Sequence, residues 1–266
     1  MELKGKTVVV TGGNGGLGQR ICYAFADVGC NVAVLYARSK DQADEVAGKL
    51  EATGVKAQSF QCDVTSEQQV DGMVAQVLES FGSLDILIND AAYNKWIAFD
   101  DMDNLTLEEW NKILTTNLTG PMLCTKAAGA VMKRQGAGRI VNISSVAGFT
   151  PTGSSIAYAV SKAGLNHLTR CMAVGLAPEV LVNCIAPGYI DGTRATDNLT
   201  PEYRERSKAA SVLQIAADKD DIARQAVEFC RTDTVTGQTL VIDSGVQQIV
   251  PRGEQPLSQT QSLSLP

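Results

Sequence analysis

Residues 8–18 read VVVTGGNGGLG, in which three valines are followed by a cluster of glycines. Valine is β-branched and favours extended backbone, whereas glycine permits the sharp turns that other residues resist. An amphipathic segment with helical spacing follows at once, from Gly16 to Val28. The pattern predicts a strand that passes through a tight turn directly into a helix.

The same alternation of strand and helix continues along the chain. Apolar runs of strand length are Thr7–Val10, Val32–Leu35, Ala57–Phe60, Leu84–Ile88, Ile140–Ile143, Leu181–Ile185 and Leu240–Ile242. Segments with helical periodicity are Gly16–Val28, Asp41–Thr53, Glu67–Phe81, Leu107–Asn117, Pro121–Gln135, Ser155–Leu176 and Asp220–Arg231. Strands separated by helices pair in parallel, because a short hairpin cannot join parallel strands. We therefore predict an α/β fold with one doubly wound parallel sheet, helices on both of its faces, and a single domain.

The composition disfavours several classes of protein. The 23 basic and 29 acidic residues give a net charge of −6, which offers no overall attraction to nucleic acid or anionic membranes. The seven cysteines lack CxxC spacing and His167 is the only histidine, so we expect buried thiols, no metal site and no Ser/His/Asp hydrolase. A strand begins within a few residues of Met1, and no apolar run approaches the roughly 18 residues of a membrane span. We expect a cytoplasmic protein that acts on a small molecule.

Two polar stretches interrupt the alternation. Residues 189–213 lie beyond the sixth strand, at the edge where open α/β sheets bind ligands, and we predict that they cover a site as a lid. Residues 251–266 are rich in Ser, Gln and Pro, which predicts a tail that is flexible or docked on a neighbouring subunit. Residues 1–250 would then form the folded domain.

The glycine cluster has the composition of a phosphate-binding turn, in which free N–H groups and the helix dipole face an anion. Two registers fit the cluster: GxGxxG on Gly13, Gly15 and Gly18, or TGxxxGxG beginning at Thr11. The alternative is a tight connection that binds no ligand. Its place between a strand and a helix favours a dinucleotide. The residues assigned to the pyrophosphate are Thr11, Gly12, Asn14, Gly16, Leu17 and Gly18.

The end of the second strand distinguishes between the two nicotinamide cofactors. An acidic residue there would hold the ribose 2′-hydroxyl of NAD, but Tyr36 occupies the position. Arg38 and Ser39 follow, and they offer a cation and a hydroxyl to a 2′-phosphate. The sequence therefore favours NADP(H). In the alternative interpretation, Arg38 and Lys40 are solvated loop residues.

Tyr158 and Lys162 are four residues apart in a predicted helix and therefore share one face. A phenol has an ordinary pKa of about 10, and a nearby ammonium stabilises the phenolate and lowers that value. Such a pair can exchange a proton with a carbonyl or alcohol oxygen. Because the same pairing is common on helix surfaces, its meaning depends on the residues around it.

Those surroundings resemble the short-chain dehydrogenase/reductase family over nearly the whole chain. The resemblance rests on YxxxK at Tyr158–Lys162, TGxxxGxG at Thr11–Gly18, Asp63 after the third strand, Ser145 located 13 residues before the tyrosine, and Pro187–Gly188. It implies a Rossmann-type sheet of seven strands and a catalytic tetrad. The tetrad residues are Asn117, Ser145, Tyr158 and Lys162.

The resemblance also implies an NAD(P)(H)-dependent enzyme that interconverts a carbonyl and a secondary alcohol by hydride transfer. Ser145 would bind the substrate oxygen and Tyr158 would transfer the proton. Lys162 would lower the pKa of the tyrosine and hold the nicotinamide ribose, while Asn117 would support a water that leads protons to solvent. The further cofactor contacts assigned are Asp63, Val64, Asn89, Ala91, Tyr158, Lys162, Pro187, Gly188, Ile190 and Thr193.

Three positions depart from the family pattern. The NNAG motif is replaced by the residues Asn89, Asp90, Ala91 and Ala92. Gly15 stands where many NADP-preferring members carry a basic residue, which leaves NAD(H) open. Thr193 comes one residue later than the PGxxxT spacing that positions a threonine near the carboxamide.

The substrate is described only by class. We expect Ser145, Trp96, Val146 and Tyr189 to contact it together with the lid, and we expect a carbonyl reductase for a ketose, polyol precursor or small ketone. One alternative is a 3-oxoacyl thioester on an acyl carrier protein, for which the basic candidates are Lys133, Arg134 and Arg170. A second alternative is a non-catalytic, NADP-binding regulatory or scaffold protein. The family further implies a homotetramer that associates through the helices at 121–135 and 155–176.

Overall fold

A sheet of seven parallel strands runs through the protein, with the strand order β3-β2-β1-β4-β5-β6-β7. The computed structural model describes residues 1–193, 196–197 and 199–246. The strands are β1 (Thr7–Thr11), β2 (Asn31–Tyr36), β3 (Ala57–Gln61), β4 (Ile86–Asn89), β5 (Gly138–Ile143), β6 (Val180–Pro187) and β7 (Thr239–Ile242). The predicted fold class and the seven-stranded sheet are confirmed. The tail predicted at 251–266 lies outside the described residues.

Helices cover both faces of the sheet. Within the described residues they are α1 (Gly16–Asp27), α2 (Lys40–Glu51), α3 (Glu67–Phe81), α4 (Leu107–Leu114), α5 (Gly120–Gln135), α6 (Ile156–Leu176), α7 (Pro201–Ala209) and α8 (Lys219–Arg231). Side chains alternate between two core layers: Val8 and Val10 face α1, α2 and α8, whereas Val9 faces α3, α5 and α6. Because both faces of the strands are buried, β1 reads as an uninterrupted apolar run.

The strand order reverses at β1, which positions the site. Val10 pairs with Val34 of β2 on one side and with Ile88 of β4 on the other. The connections leaving β1 and β4 therefore turn to opposite faces and open a crevice at the carboxyl edge of the sheet. A ligand site is expected at this crevice.

The segment between α4 and α5 differs from its prediction. The sequence predicts a helix at Leu107–Asn117 and a separate one at Pro121–Gln135, but the chain continues from α4 through a π-helical turn at Thr115–Thr119 directly into α5. The glycine at position 120 allows the turn to pack on the loop after β3, because a Cβ there would lie 2.9 Å from Val64 Cγ2. π-helical turns concentrate at functional sites.

The stretch at 189–213 also differs from expectation, because it contains helix α7. Its start carries the ordinary signals: the Thr200 side chain accepts a hydrogen bond from the N–H of Tyr203, and Pro201 occupies the first turn. None of its residues is buried. Since the apolar periodicity that marks the other helices is absent, α7 was not predictable from the sequence.

The cysteines agree with their prediction as buried thiols. Six of the seven are buried, and Cys171 is exposed. Burial raises the pKa of the Cys62 and Cys184 thiols to about 11, which keeps them protonated and unreactive at neutral pH. Among the described helices, none is both long and apolar enough to cross a membrane.

Gly18→Ala tests the packing of α1 against β1, and Gly48→Ala in α2 is its control. Gly18→Ala would place a methyl group within 2.9 Å of the Gly12 carbonyl carbon, and we expect it to lower the free energy of unfolding by about 2 kcal/mol. Gly48→Ala, in the exposed middle of α2 with no atom near its Cβ position, should raise it by about 0.5–1 kcal/mol. Urea unfolding measures both variants, and shifts in the same direction would contradict the packing argument.

Candidate active site

A cavity of about 1410 Å³ opens at the carboxyl edge of the sheet, where the strand order reverses. The glycine turn, the ends of β2, β3 and β4, the loop after β5, the first turns of α6 and the lid all contribute to its wall. The predicted site residues that line it are Gly12, Asn14, Leu17, Tyr36, Arg38, Ser39, Asp63, Val64, Ala91, Trp96, Ser145, Val146, Tyr158, Lys162, Pro187, Gly188, Tyr189, Ile190 and Thr193. Thr11, Gly16, Gly18, Asn89 and Asn117 are not among the lining residues.

The glycine turn forms a cradle with no room for side chains. Gly12 has a φ of +67°, and a Cβ there would lie 3.1 Å from the Ala91 Cα. Gly16 packs on the lid, since its Cβ would be 3.0 Å from the carbonyl oxygen of Gly192. Gly15, the N-cap residue of α1, has no side chain to occupy the first-turn N–H groups, and it lines the cavity together with Leu17. This geometry fits a pyrophosphate, with Gly16 and Gly18 supporting the turn from behind.

Thr11 fixes the loop after β4 beside this cradle. Its hydroxyl donates to the carbonyl of Ile88 at 3.3 Å and accepts from the backbone N–H groups of Asp90 and Ala91, each at 3.0 Å. The side chain is buried and fully used. Thr11 therefore shapes the wall of the cavity from inside the protein.

The far end of the cavity carries the residues assigned to the adenosine ribose. Arg38 and Ser39 line it, and the Ser39 side chain, at the cap of α2, makes no capping hydrogen bond. Asn14 Nδ2 donates to the Ser39 carbonyl at 3.3 Å, which links this loop to the glycine turn. The Asp63 carboxylate accepts from the Thr65 hydroxyl at 2.7 Å. The arrangement fits the ribose of a dinucleotide and leaves a cation and a hydroxyl free for a phosphate.

Three members of the predicted tetrad meet on the cavity wall. Tyr158 lies in the first turn of α6, where its N–H donates to Ser155 Oγ at 3.2 Å. Lys162 follows one turn later, with Nζ 5.6 Å from the centroid of the tyrosine ring. Its Nζ also donates to the Ile143 carbonyl at 2.9 Å. Ser145, at the end of β5, makes a hydrogen bond with the phenol of Tyr158.

The electrostatics of these groups are dominated by burial. Loss of solvent raises the pKa of Tyr158, although the hydrogen bond with Ser145 partly opposes the shift. Burial also lowers the pKa of the Lys162 ammonium to about 8. In the protein alone the pKa of Tyr158 is raised and not lowered, because burial is the largest influence on the phenol and the nearby Asp90 carboxylate adds to it. The phenol is protonated at neutral pH.

Asn117, the fourth member, lies behind the wall within the π-helical turn. Its Nδ2 donates to the Tyr93 carbonyl at 2.9 Å and to Ser161 Oγ at 3.2 Å. Its Oδ1 accepts from the Tyr93 N–H at 2.8 Å. The buried amide thus joins the loop after β4 to α6, and the water relay assigned to Asn117 stays a prediction.

Asn89, the last residue of β4, and Asp90, the first residue of the loop that follows, lie differently with respect to the cavity. Asn89 is buried, and its Nδ2 donates to Thr125 Oγ1 at 3.2 Å and Asn142 Oδ1 at 2.8 Å, so it links β4 to its neighbours. Its Oδ1 has no hydrogen-bond partner among the described residues, and the contact of Asn89 with a cofactor stays a prediction. Asp90 lines the cavity instead. Burial raises the pKa of its carboxyl to about 7, with the charge of Lys162 opposing the shift. The acid in place of a neutral amide was the signal that could have identified it.

All four residues predicted to contact the substrate line the cavity: Trp96, Ser145, Val146 and Tyr189. Trp96 is 45% exposed, and its ring meets that of Tyr203 edge-on with centroids 5.8 Å apart. The Tyr189 hydroxyl is hydrogen-bonded to Asp191. Tyr203 and Arg206 of α7 also line the wall. Neither residue was predicted, because α7 has no helical signal in the sequence.

The comparisons with known proteins agree with this geometry. A family model described as short chain dehydrogenase matches residues 6–204. The 3-oxoacyl-[acyl-carrier-protein] reductase of Staphylococcus aureus is 35% identical over 249 residues, covering 91% of this chain and 98% of that protein.

Solved structures with the same fold include enzymes described with either cofactor. NADPH-dependent 3-quinuclidinone reductase from Rhodotorula rubra has a TM-score of 0.85 and 28% identity, covering 93% of both chains. NAD⁺-bound xylitol dehydrogenase has a TM-score of 0.84 and 28% identity, covering 92% of this chain and 100% of that chain. Because the family match runs from the first strand through the catalytic helix into the lid, the chain belongs to the short-chain dehydrogenase family of oxidoreductases.

Proposed function

We propose that the protein reduces a ketone to a secondary alcohol with a nicotinamide dinucleotide, by way of Ser145, Tyr158 and Lys162. The observation that carries this proposal is the meeting of these three side chains on the wall of the cavity at the point where the strand order reverses. A hydroxyl, a phenol and an ammonium at one wall can bind a carbonyl oxygen and deliver a proton to it.

Each side chain has a distinct part in the reaction. Ser145 donates a hydrogen bond to the substrate oxygen as negative charge develops there. Tyr158 delivers its phenolic proton to that oxygen, and the Lys162 ammonium stabilises the phenolate left behind. A bound nicotinamide supplies the hydride. Asn117 keeps α6 in register with the loop after β4, which makes it a positioning residue.

The protonation of Tyr158 favours the reductive direction. Because burial raises the pKa of the phenol, the resting side chain carries the proton that the nascent alkoxide needs. Alcohol oxidation would require the phenolate first. We therefore propose reduction as the faster direction at neutral pH.

NADP(H) is the proposed cofactor. Arg38 and the uncapped hydroxyl of Ser39 line the cavity beside Tyr36, which is buried and has no carboxylate to hold a ribose 2′-hydroxyl. The family structures include a protein described as NADPH-dependent and another described as NAD⁺-bound, so the distinction depends on these side chains. An arginine beside a serine hydroxyl suits a phosphate.

The substrate is proposed to be a small ketone or a ketose. The similarity to the Staphylococcus aureus reductase supports a second candidate, a 3-oxoacyl thioester. Of the three basic residues considered for a carrier protein, Lys133 lies 3.9 Å from Glu179 and none of the three lines the cavity. A non-catalytic scaffold is disfavoured by the complete set of Ser145, Tyr158 and Lys162.

We also propose a homotetramer in the cytoplasm. The outer face of α6 exposes Val160 and Val174, the latter 81% exposed, and such apolar side chains favour burial against a second subunit. The same helix carries Tyr158 and Lys162 on its inner face. Assembly through α6 would therefore brace the helix that holds the catalytic pair.

Tyr158→Phe tests the proton transfer. We expect the turnover of a ketone panel with NADPH to fall by at least about 100-fold, because the variant has no proton to deliver. Tyr23→Phe on α1, which is away from the cavity, is the matched control and should retain activity. Spectrophotometric assay measures both, with thermal unfolding to verify the fold. Equal turnover in Tyr158→Phe and the wild type would refute the mechanism.

Arg38→Leu tests the choice of cofactor. We expect the ratio of kcat/KM for NADPH to that for NADH to fall by at least about tenfold, because the 2′-phosphate loses its cation. Lys40→Leu removes the neighbouring cation, which pairs with Asp44 at 2.5 Å and does not line the cavity. Steady-state kinetics with both cofactors measures the ratio. If the two variants change it equally, Arg38 is only a solvated loop residue.

Asp90→Asn tests the buried acid. The carboxyl has a pKa of about 7, so it becomes charged between pH 5.5 and 7.5, in the cleft that receives the anionic pyrophosphate. We expect the Kd for NADH to rise about threefold over this range in the wild type and to rise less in Asp90→Asn, where Lys162 is the remaining group that titrates nearby. NADH avoids the titration of the 2′-phosphate.

Nicotinamide fluorescence measures the Kd at each pH. Asp27→Asn removes an exposed carboxylate from the end of α1 and should behave as the wild type. A pH slope in Asp90→Asn as steep as that of the wild type would refute a role for the Asp90 charge.

A further inference from the structure

The charged side chains of the lid helix α7 lie on two sides of it. Arg204 donates to the carbonyls of Thr196, Asp197 and Leu199 at 3.1, 2.9 and 3.1 Å, and so holds the lid loop. Lys208 pairs with Asp191, with Nζ and Oδ2 3.1 Å apart. Arg204 and Lys208 border a separate hollow on the outer side of the lid, away from the catalytic side chains.

Arg206 lies on the inner side and lines the main cavity. Its guanidinium carbon is 5.4 Å from the centroid of the Tyr203 ring. The Tyr203 ring in turn meets Trp96 edge-on. The ion pairs found among the described residues do not involve Arg206. The stacking on Tyr203 holds the guanidinium in place while leaving its N–H donors available.

The part of the cavity wall formed by the loop after β5 and by the lid has one charged side chain among the described residues. Of the described residues at 144–154 and 187–210 that line the cavity, Arg206 is the one with a charged side chain; the others are aliphatic, aromatic, hydroxyl-bearing or glycine. Trp96 and Tyr203 give this wall a flat apolar surface between Arg206 and the substrate loop after β5. A ligand that fills this part of the cavity meets aromatic rings and the guanidinium of Arg206. Lys112, whose Nζ is 4.2 Å from the centroid of the Tyr93 ring, is a second cation on the wall of the same cavity.

We infer that the substrate is a small ketone with an apolar body and a terminal oxyanion, a carboxylate or phosphate, that Arg206 binds. The inference rests on the proposed reduction at Tyr158 and adds the chemistry of the substrate's far end. The planar fork of a guanidinium matches either oxyanion with two parallel hydrogen bonds. The rings of Trp96 and Tyr203 cover the apolar body.

The same charges disfavour a carrier-bound thioester. A carrier protein rich in acidic residues needs a basic face around the mouth of the cavity, with several cations free to meet it. Here Lys208 is neutralised by Asp191 and Glu205, and Lys95 by Glu109 at 2.8 Å. Within the part of the chain that the structure describes, Arg206 and Lys112 are the unpaired cations on this side of the cavity, which suits an anionic group on a free small molecule better than an acidic protein surface.

Matched pairs of acids and esters test the inference. The probes are 4-oxopentanoate, 4-acetylbenzoate and 3-(4-acetylphenyl)propanoate, each compared with its methyl ester, which keeps the ketone and removes the charge. With NADPH, we expect at least one acid to have a kcat/KM about tenfold above that of its ester, with the difference in KM. In Arg206→Gln the ratio of acid to ester should fall to about one.

Arg224→Gln is the control variant. It removes an exposed arginine of α8 that pairs with Asp221, so it changes the net charge by the same amount without touching the cavity. The acid preference should survive in this variant. It should weaken when the salt concentration is raised, because the guanidinium lies near solvent.

The possible failures are distinguishable. If the wild type reduces esters and acids equally, or if the preference persists in Arg206→Gln, the anion site is refuted while the reductase remains. If no probe is reduced, the proposed function fails. The anion site is then decided by calorimetric titration of 4-acetylbenzoate into the NADPH-bound protein, where a Kd that does not rise about tenfold in Arg206→Gln refutes it.

Discussion

The close contact between α1 and the end of β1 is the constraint on which the site depends. Gly18 sits so near the Gly12 carbonyl that it accepts no side chain, and Gly12 is itself held against Ala91 with a φ of +67°. The positive end of α1 is thereby brought to the carboxyl edge of the sheet. Thr11, one residue earlier, binds the loop after β4 to the same edge. Asn117 holds that loop at its other end and, through the hydroxyl of a serine on α6, reaches the carbonyl of Tyr158. The glycine turn and the catalytic helix are thus joined by one continuous series of backbone and side-chain contacts.

Three titratable side chains lie together on the cavity wall: Asp90, Tyr158 and Lys162. Burial disfavours the charged form of each. Burial raises the pKa of the Asp90 carboxyl to about 7 and lowers the pKa of the Lys162 ammonium to about 8. Both groups therefore change charge close to neutral pH. Each partly compensates the other, because the negative charge of Asp90 stabilises the ammonium. Coupled groups of this kind titrate as a pair. Tyr158 beside them keeps its proton, which an acid catalyst requires.

The parts of the protein that repeat along the chain were predictable from sequence, and those that arise from contacts between distant segments were not. Strands and most helices follow from hydrophobic periodicity, which depends on neighbours in sequence. Helix α7 has no buried face, so the same signal was missing there. Asn89 and Asn117 were correctly located near the site, yet only the fold reveals that both point into the protein and leave the cavity wall to others. Asp90 was noticed as a departure, but its charge acquires meaning only beside Lys162.

Recognition and chemistry occupy parts of this protein that differ in how they respond to mutation. The residues proposed to act on the carbonyl stand just after β5 and on α6, where a change disturbs close-packed layers. The aromatic ring and the cation of the lid stand on α7, a helix without a buried residue. Substitutions there cost little stability, since surface positions tolerate change. The substrate range of this scaffold could therefore drift, or be redesigned, along one short helix while the catalytic machinery and its supporting core stay constant.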